Sequence, residues 1–292
     1  MPSLPLPSGL ARAAARDPEL RSWAEQLPGL VDQVVQHWQL ELEPPYEPGG
    51  TCSWVAPARR RSGEQVVLKV GWRHVEARDE AAGLRVWAGS GTVRLLAEVD
   101  AGSATTAVLL ERCRSGTSLR DRAAEPEQDV VVAGLLRRLW GRPAGDHPFR
   151  PLETLCEQWA AGVEARLSAG WPGHLDRALV ADGLATWRSL PQQSGAALLC
   201  TDLHAGNVLA AEREPWLVID PKPYVGDPAF DVLQHALNCP QRLRTAPLAL
   251  VDRLAGLLDL DRDRLRAWLF ARCVVAALDE PDLHRVARIL AP

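Results

Sequence analysis

An aspartate, an asparagine and a second aspartate stand at Asp202, Asn207 and Asp220. Asp202 heads a short polar loop after the run Leu198-Leu199-Cys200. Asn207 follows in the same loop, and Asp220 closes the apolar run Trp216-Leu217-Val218-Ile219. Two strands with a tight loop between them would bring all three side chains to one edge. These residue types suit phosphoryl transfer. A transferring phosphoryl group spreads charge over its equatorial oxygens, so a protein contributes mainly positioning and electrostatics. Magnesium takes hard oxygen ligands and keeps several waters, so one amide oxygen and one carboxylate suffice beside nucleotide phosphates. Asn207 and Asp220 are then the metal ligands, and Asp202 accepts or orients the attacking hydroxyl. A lone Asp-x4-Asn pair would be mostly chance. DLHAGN, a strand ending in IDP and then GDPAFD form a far more specific set.

Other residues fit the same chemistry. Lys69 sits inside the apolar run Val66–Val70, where a buried ammonium is costly without a partner. It is either a strand lysine whose tip snorkels to water or a lysine that holds α/β-phosphates and pairs with a helix carboxylate, as in kinases. Glu80 is the expected partner, with Leu84 and Trp87 following it at core spacing; Glu76 and Asp79 are the alternatives. The segment Gly49–Ser53 could lie over phosphates, but it does not match GxGxxG and reads equally as a hairpin turn. His204 is read either as a contact to the γ-phosphate, placed with Asp202 in the catalytic set, or as a satisfied loop histidine. Lys222 balances local negative charge or meets phosphate, and Gly206 permits a backbone turn beside Asn207. Asp227, just before Pro228, suits a helix cap. Asp231 suits a hydrogen bond back to the loop.

The elements that must position these groups fall into two regions. The first ten residues are Pro- and Ser-rich and read as frayed. Leu20–Leu40 has the spacing of two short helices broken near Pro28. Strands are expected over Thr51–Ala58, Gln65–Val70, Val93–Val99 and Thr106–Arg112, with a helix over Val75–Trp87. After Arg112 the pattern turns helical. Helices are expected near Asp129–Trp140, Leu152–Leu167, Leu175–Leu190, Phe230–Leu237, Leu248–Leu258, Arg262–Leu278 and Asp282–Leu290. Periodicity alone therefore gives an α+β chain in two lobes.

Composition narrows the function classes. A chain of 292 residues with 47% hydrophobic content buries a substantial core. The net charge is −4 and no basic stripe is present, so no nucleic-acid partner is expected. No apolar leader and no membrane-spanning run appear, which points to a cytoplasmic protein. The six cysteines form no CxxC pair, so they are neither a zinc site nor a disulfide framework, and they fit a reducing compartment. The 11 tryptophans belong mostly to core packing, with one or two able to line a ligand pocket.

The blocks DLHAGNVL, PWLVIDPKPYVGDPAFD, GGTCSWVAP, VVLKV and GLRVWAG resemble those of the aminoglycoside phosphotransferase superfamily, and within it the streptomycin 6-kinase and hydroxyurea phosphotransferase group. The resemblance runs from about Trp23 to the C-terminus. It implies a bilobal protein-kinase-like fold of class α+β, with a small β-rich N-terminal lobe and a larger, mostly helical C-terminal lobe. Residues 1–112 would be the nucleotide-binding lobe with the N-terminal helices. Residues 113–292 would carry the catalytic loop and acceptor site. ATP and Mg²⁺ are the implied cofactors, and Lys69 and Glu80 would secure the phosphates. The backbone carbonyl of Glu111 and the backbone N–H of Cys113 would meet the adenine, with Gly116 as a flexible turn beyond.

The implied partner is a small-molecule acceptor of cationic, streptomycin type, acted on by a monomer. Hydroxyurea or a cellular metabolite is the alternative acceptor. A nucleotide-binding regulatory pseudokinase is the alternative class, against which the intact Lys69, Asp202, Asn207 and Asp220 argue. The chain shows no APE-type segment or long activation loop, which argues against a protein kinase. A cationic acceptor calls for carboxylates; Glu157, Asp279, Glu280 and Asp282 are candidates, though each also reads as a solvated helix end. Many relatives carry His-Gly where this chain has Cys200-Thr201, which leaves the support of the loop open.

Overall fold

The run that carries Lys69 becomes the middle strand of a sheet. The computed structural model describes residues 4–292 except Val75, Glu76, Ser103, Arg142, Ala144, Ser194 and Ala196. It contains strands Leu40–Leu42 (β1), Ser53–Arg60 (β2), Gln65–Trp72 (β3), Leu95–Asp100 (β4) and Thr105–Glu111 (β5). They form one antiparallel sheet in the order β1-β2-β3-β5-β4. Successive side chains on a strand point to opposite faces. Val66, Leu68 and Val70 are therefore fully buried in the core on one face, beside Leu20, Leu27 and Val31. Lys69 points to the other face.

The core face is covered by two helices, Ser8–Arg16 (α1) and Pro18–Trp38 (α2). This differs from the sequence reading in two ways. The N-terminal tip is tied down: Trp54 Nε1 donates to the Pro5 carbonyl at 3.0 Å, and Gly9 N–H donates to the Pro48 carbonyl at 2.7 Å. The segment after it is one helix of 21 residues that runs through Pro28. Pro28 lies on the exposed face, while Leu20, Trp23, Leu27, Val31 and Val34 form a buried stripe that outweighs the missing backbone bond. Asp17 caps the helix, accepting from the Glu19 and Leu20 N–H groups. A further helix, Glu80–Trp87 (α3), starts later than the spacing suggested; Val75 and Glu76 of that expectation lie outside the described residues.

The chain groups into two units, Met1–Gly116 with Ala210–Leu217, and Thr117–Leu209 with Val218–Pro292. The second begins with helices Leu119–Arg122 (α4), Glu125–Leu139 (α5), Leu152–Ala169 (α6) and Arg177–Ser189 (α7). Along the chain short strands follow, Ala197–Leu199 (β6), Val208–Ala210 (β7), Trp216–Val218 (β8) and Tyr224–Gly226 (β9), of which Ala210, Trp216 and Leu217 group with the first unit. The chain ends in helices Pro228–Asp231 (α8), Leu233–Leu237 (α9), Pro240–Thr245 (α10), Pro247–Leu258 (α11), Arg262–Ala276 (α12) and Leu283–Leu290 (α13). The single helix expected over Phe230–Leu237 is thus two short ones.

Aromatic packing organises this unit. Trp187 meets Trp268 edge-on at 5.5 Å, and Phe230 meets Trp268 edge-on at 5.3 Å, the arrangement ring quadrupoles favour. Asp227 caps α8 through the Ala229 N–H at 3.0 Å. Its other oxygen accepts from Trp268 Nε1 and Arg264 Nε, both at 2.6 Å. A second buried carboxylate, Asp129 on α5, takes Arg242 bidentately, Arg253 at 2.6 Å and His235 at 2.9 Å. Asp129, His235 and Cys239 lie within metal-ligand reach of one another, but two guanidinium groups already occupy that carboxylate, so the cluster is an ion-pair hub. Among the described residues no helix is long and apolar enough to cross a membrane.

Candidate active site

Two small sheets shape the loop that carries Asp202, rather than the single strand pair anticipated. β6 pairs antiparallel with β9, placing Leu199 opposite Tyr224. Continuing that register, the Lys222 N–H donates to the Cys200 carbonyl at 2.9 Å. β7 and β8 form the second pair, and the Ile219 N–H donates to the Asn207 carbonyl at 2.9 Å. Asn207 thereby sits beside the residue preceding Asp220. Its amide nitrogen donates to the Asp202 carbonyl at 3.0 Å, which leaves the carbonyl oxygen as the atom of that side chain that could hold a metal. An amide oxygen and a carboxylate are hard donors, and the pair fits magnesium.

Two residues of this region hold a left-handed backbone without being glycine: Thr201, with φ 53°, and Asp220, with φ 54°. Such conformations are sparsely populated and persist where surrounding contacts hold them. The contacts at Thr201 are visible. Its N–H donates to Asp231 Oδ1 at 2.5 Å, and its hydroxyl donates to the Lys222 carbonyl at 2.5 Å. The Cys200 N–H and Trp140 Nε1 both donate to Asp231 Oδ2, at 2.9 and 3.0 Å. Asp231 is the anticipated brace, and it supports the Cys200-Thr201 pair by two backbone bonds. Burial pushes its carboxyl up to about 6, against the pull of the donors. At neutral pH it is an acceptor-only carboxylate, matched to three N–H donors.

His204 is engaged by the loop. Its Nδ1 accepts from the Gly206 N–H at 3.0 Å and lies 3.2 Å from Arg120 Nη2, which also donates to Asn238 Oδ1 at 2.7 Å. Burial, with the Arg120 charge beside it, lowers the imidazole to about 4, so the ring is neutral at neutral pH. Gly206 is needed for space rather than for an unusual turn: an added Cβ would stand 2.8 Å from the His204 ring and 2.9 Å from Arg120. Arg120 carried no signal in the sequence, because nothing local links it to a loop more than eighty residues away.

In the first unit, Lys69 Nζ meets both oxygens of Glu80, at 2.8 and 2.6 Å. Both residues are buried, 9% and 7% exposed, so the lysine is a paired internal charge and not a snorkelling one. Asp79 is engaged by Arg78 at 3.1 Å. The Glu111 side chain is gripped by Arg213, by Nε and Nη2 at 2.9 Å each, and by the Arg94 N–H at 3.0 Å. Burial alone would raise its carboxyl, but these bonds hold it below the ordinary value. Burial and the nearby Glu111 push the Cys113 thiol up to about 12. Gly49, with φ 70°, is a turn packed on the N-terminal segment, since a Cβ there would lie 2.7 Å from Pro7.

The four carboxylates considered for a cationic acceptor each face an arginine. Glu157 takes Arg188 at 2.8 and 3.1 Å, and Asp279 takes Arg166 at 3.0 and 2.8 Å. Glu280 and Asp282 lie 3.8 and 3.5 Å from Arg244. Asp279 and Glu280 line an open cavity of about 410 Å³ with Trp159, Arg166 and Arg272.

Residues 37–282 match the family described as aminoglycoside/hydroxyurea antibiotic resistance kinase. The chain is 36% identical to a streptomycin 6-kinase of Streptomyces glaucescens, covering 94% of this chain and 90% of that one. It is 39% identical to a hydroxyurea phosphotransferase of Kitasatospora aureofaciens, covering 91% and 77%. Among solved structures, it resembles a thermostable mutant of aminoglycoside phosphotransferase APH(4)-Ia in ternary complex with ADP and hygromycin B. That likeness has a TM-score of 0.60 and 16% identity, covering 89% and 96%. It also resembles APH(3'')-Id of Streptomyces rimosus in complex with ADP and streptomycin, with a TM-score of 0.53 and 18% identity, covering 86% and 98%. These likenesses place the fold among protein-kinase-like phosphotransferases.

Proposed function

We infer the activity of a chain that belongs to the aminoglycoside/hydroxyurea antibiotic resistance kinase family: it is a small-molecule kinase that moves the γ-phosphate of ATP to a hydroxyl of a streptomycin-type aminoglycoside. A phosphate in place of a hydroxyl the drug needs for target binding gives resistance. The observation that carries this reading is the loop itself. Asn207 is hydrogen-bonded to the Asp202 carbonyl and, through the bond from the Ile219 N–H, set beside the residue that precedes Asp220.

The roles follow from the chemistry of each group. Asp202 accepts or orients the acceptor hydroxyl. The Asn207 amide oxygen and the Asp220 carboxylate would hold Mg²⁺, which when bound neutralises charge on the transferring phosphoryl group. Lys69, kept in place by Glu80, meets the α/β-phosphates, and the backbone of Glu111 and Cys113 meets the adenine. His204, neutral and engaged at Nδ1, offers its Nε2–H as a neutral donor. Residues 1–112 serve the nucleotide, and residues 113–292 hold the catalytic loop and the acceptor.

A second acceptor, hydroxyurea or a similarly small molecule, is favoured by one finding: the chain is 39% identical to a hydroxyurea phosphotransferase over most of its length. Mass analysis of products after incubation with MgATP and either compound tests both. Streptomycin heavier by one phosphoryl group supports the first reading. Modified hydroxyurea with unchanged streptomycin supports the second, and two unchanged compounds would contradict both.

A further inference from the structure

Lys222 is fastened to the Asp202 segment at three points. Its Nζ lies 2.7 Å from Asp202 Oδ2. Its N–H donates to the Cys200 carbonyl at 2.9 Å, and its own carbonyl accepts from the Thr201 hydroxyl at 2.5 Å. The lysine and aspartate side chains are 25% and 17% exposed, so the pair is largely withdrawn from solvent.

An exposed ion pair between two free side chains contributes little, because both must be ordered for a weak, screened attraction. Here the ordering is done by the backbone. The two main-chain bonds at Lys222 fix its Cα against Cys200 and Thr201, and Thr201 immediately precedes Asp202. The ammonium therefore starts from a position already registered to the carboxylate it meets. Asp202 follows a residue with a left-handed backbone, where a small shift in φ would swing its side chain. A carboxylate that must receive a hydroxyl in one direction needs a second contact to hold that direction.

We propose that Lys222 is a positioning residue for Asp202: through Oδ2 it fixes the orientation of the carboxylate and thereby sets the rate of phosphoryl transfer rather than the affinity for either substrate. The inference rests on the reading of Asp202 as the group that receives the acceptor hydroxyl. It makes Lys222 a partner of the base, distinct from Lys69, whose ammonium is taken by Glu80. Arginine in its place retains a cation that can reach the carboxylate; methionine keeps the stem of the chain and loses the ammonium.

The test is a steady-state comparison of wild type, Lys222→Met, Lys222→Arg, Asp202→Asn and the double variant Asp202→Asn/Lys222→Met. ADP release is followed with MgATP and streptomycin, and separately as MgATP hydrolysis with no acceptor added. Lys222→Met is expected to lower kcat by about 10²-fold, the scale of loss for a misplaced reacting group, with both KM values within about threefold. Lys222→Arg is expected to recover at least about tenfold of that loss. In the Asp202→Asn background the methionine is expected to change kcat by less than about threefold, because a residue acting through a partner has no effect once the partner is gone. Retained kcat in Lys222→Met, a raised KM with kcat kept, an equal loss in both backgrounds, or no recovery with arginine would each overturn the proposal. Failure of the functional reading is separate: wild type would leave streptomycin unmodified, and the same pattern would then be required of MgATP hydrolysis. Asp202→Asn at the wild-type rate would remove the base, and with it this role for Lys222.

Discussion

At the scale of single residues, the loop separates groups that present chemistry from groups that hold the loop. Asp220 and Asn207 present oxygens, and the proposed metal roles make a direct prediction. Asp220→Ala should lower MgATP affinity by at least about tenfold, since the site would lose the carboxylate that would hold Mg²⁺. Titration calorimetry with MgATP checks this, and unchanged affinity would remove Asp220 from the metal set. His204 belongs mainly to the holding group. Its folded value of about 4 lies below the unfolded 6.5, so the unfolded chain binds more protons between these limits. Its contribution to stability is therefore complete above about pH 6.5 and is lost as pH falls toward 4. In His204→Asn, which keeps an acceptor for the Gly206 N–H, the rise of Tm with pH across that window should be shallower than in wild type. Parallel slopes in thermal unfolding would contradict the neutral, half-buried imidazole.

At the scale of elements, the brace under the Asp202 loop comes from helix α8. Asp231 ends that helix and receives three N–H donors, two of them from the Cys200-Thr201 backbone. Asp231→Ala leaves those donors buried and unpaired. It is expected to cost roughly 2–4 kcal/mol in denaturant unfolding, and to lower turnover more than MgATP affinity. A loss below about 1 kcal/mol would place the support of the loop elsewhere.

Much of this was legible in the chain. The period-2 run around Lys69, the Asp202–Asn207–Asp220 order, the Asp227 cap and the backward reach of Asp231 all rest on local spacing or local residue type. The parts that were not legible depend on distant partners. Arg120 reaches His204, and Arg213 reaches Glu111 across 102 positions, with no local pattern to announce either. The Pro28 break was misjudged because a propensity penalty was weighed without the buried stripe it competes with. The role of Gly206 was also misplaced, because the sequence shows a flexible residue but not the imidazole and guanidinium that crowd it.

At the scale of the whole molecule, Ala210–Leu217 groups with the N-terminal unit although it follows the Asp202 loop in the chain. A boundary drawn from sequence at 112/113 is linear and cannot contain such a return. The net charge of −4 and the arginine partners of the candidate carboxylates also belong to this scale. Together they give modest electrostatic attraction for a polycation, and specificity is expected to come from shape and hydrogen bonding as well as charge. Salt should therefore weaken the KM for streptomycin only mildly, by less than about fivefold between 50 and 500 mM, whereas a steered acceptor would show a steep dependence.

The proposed activity is phosphoryl transfer to a small acceptor at the Asp202 loop. The most direct measurement is ADP release with MgATP and streptomycin, wild type beside Asp202→Ala, with MgATP affinity measured for both. The expected result is streptomycin-dependent turnover that falls by roughly 10²–10⁴-fold in the variant while MgATP affinity stays nearly intact. Equal turnover in the two proteins would contradict it.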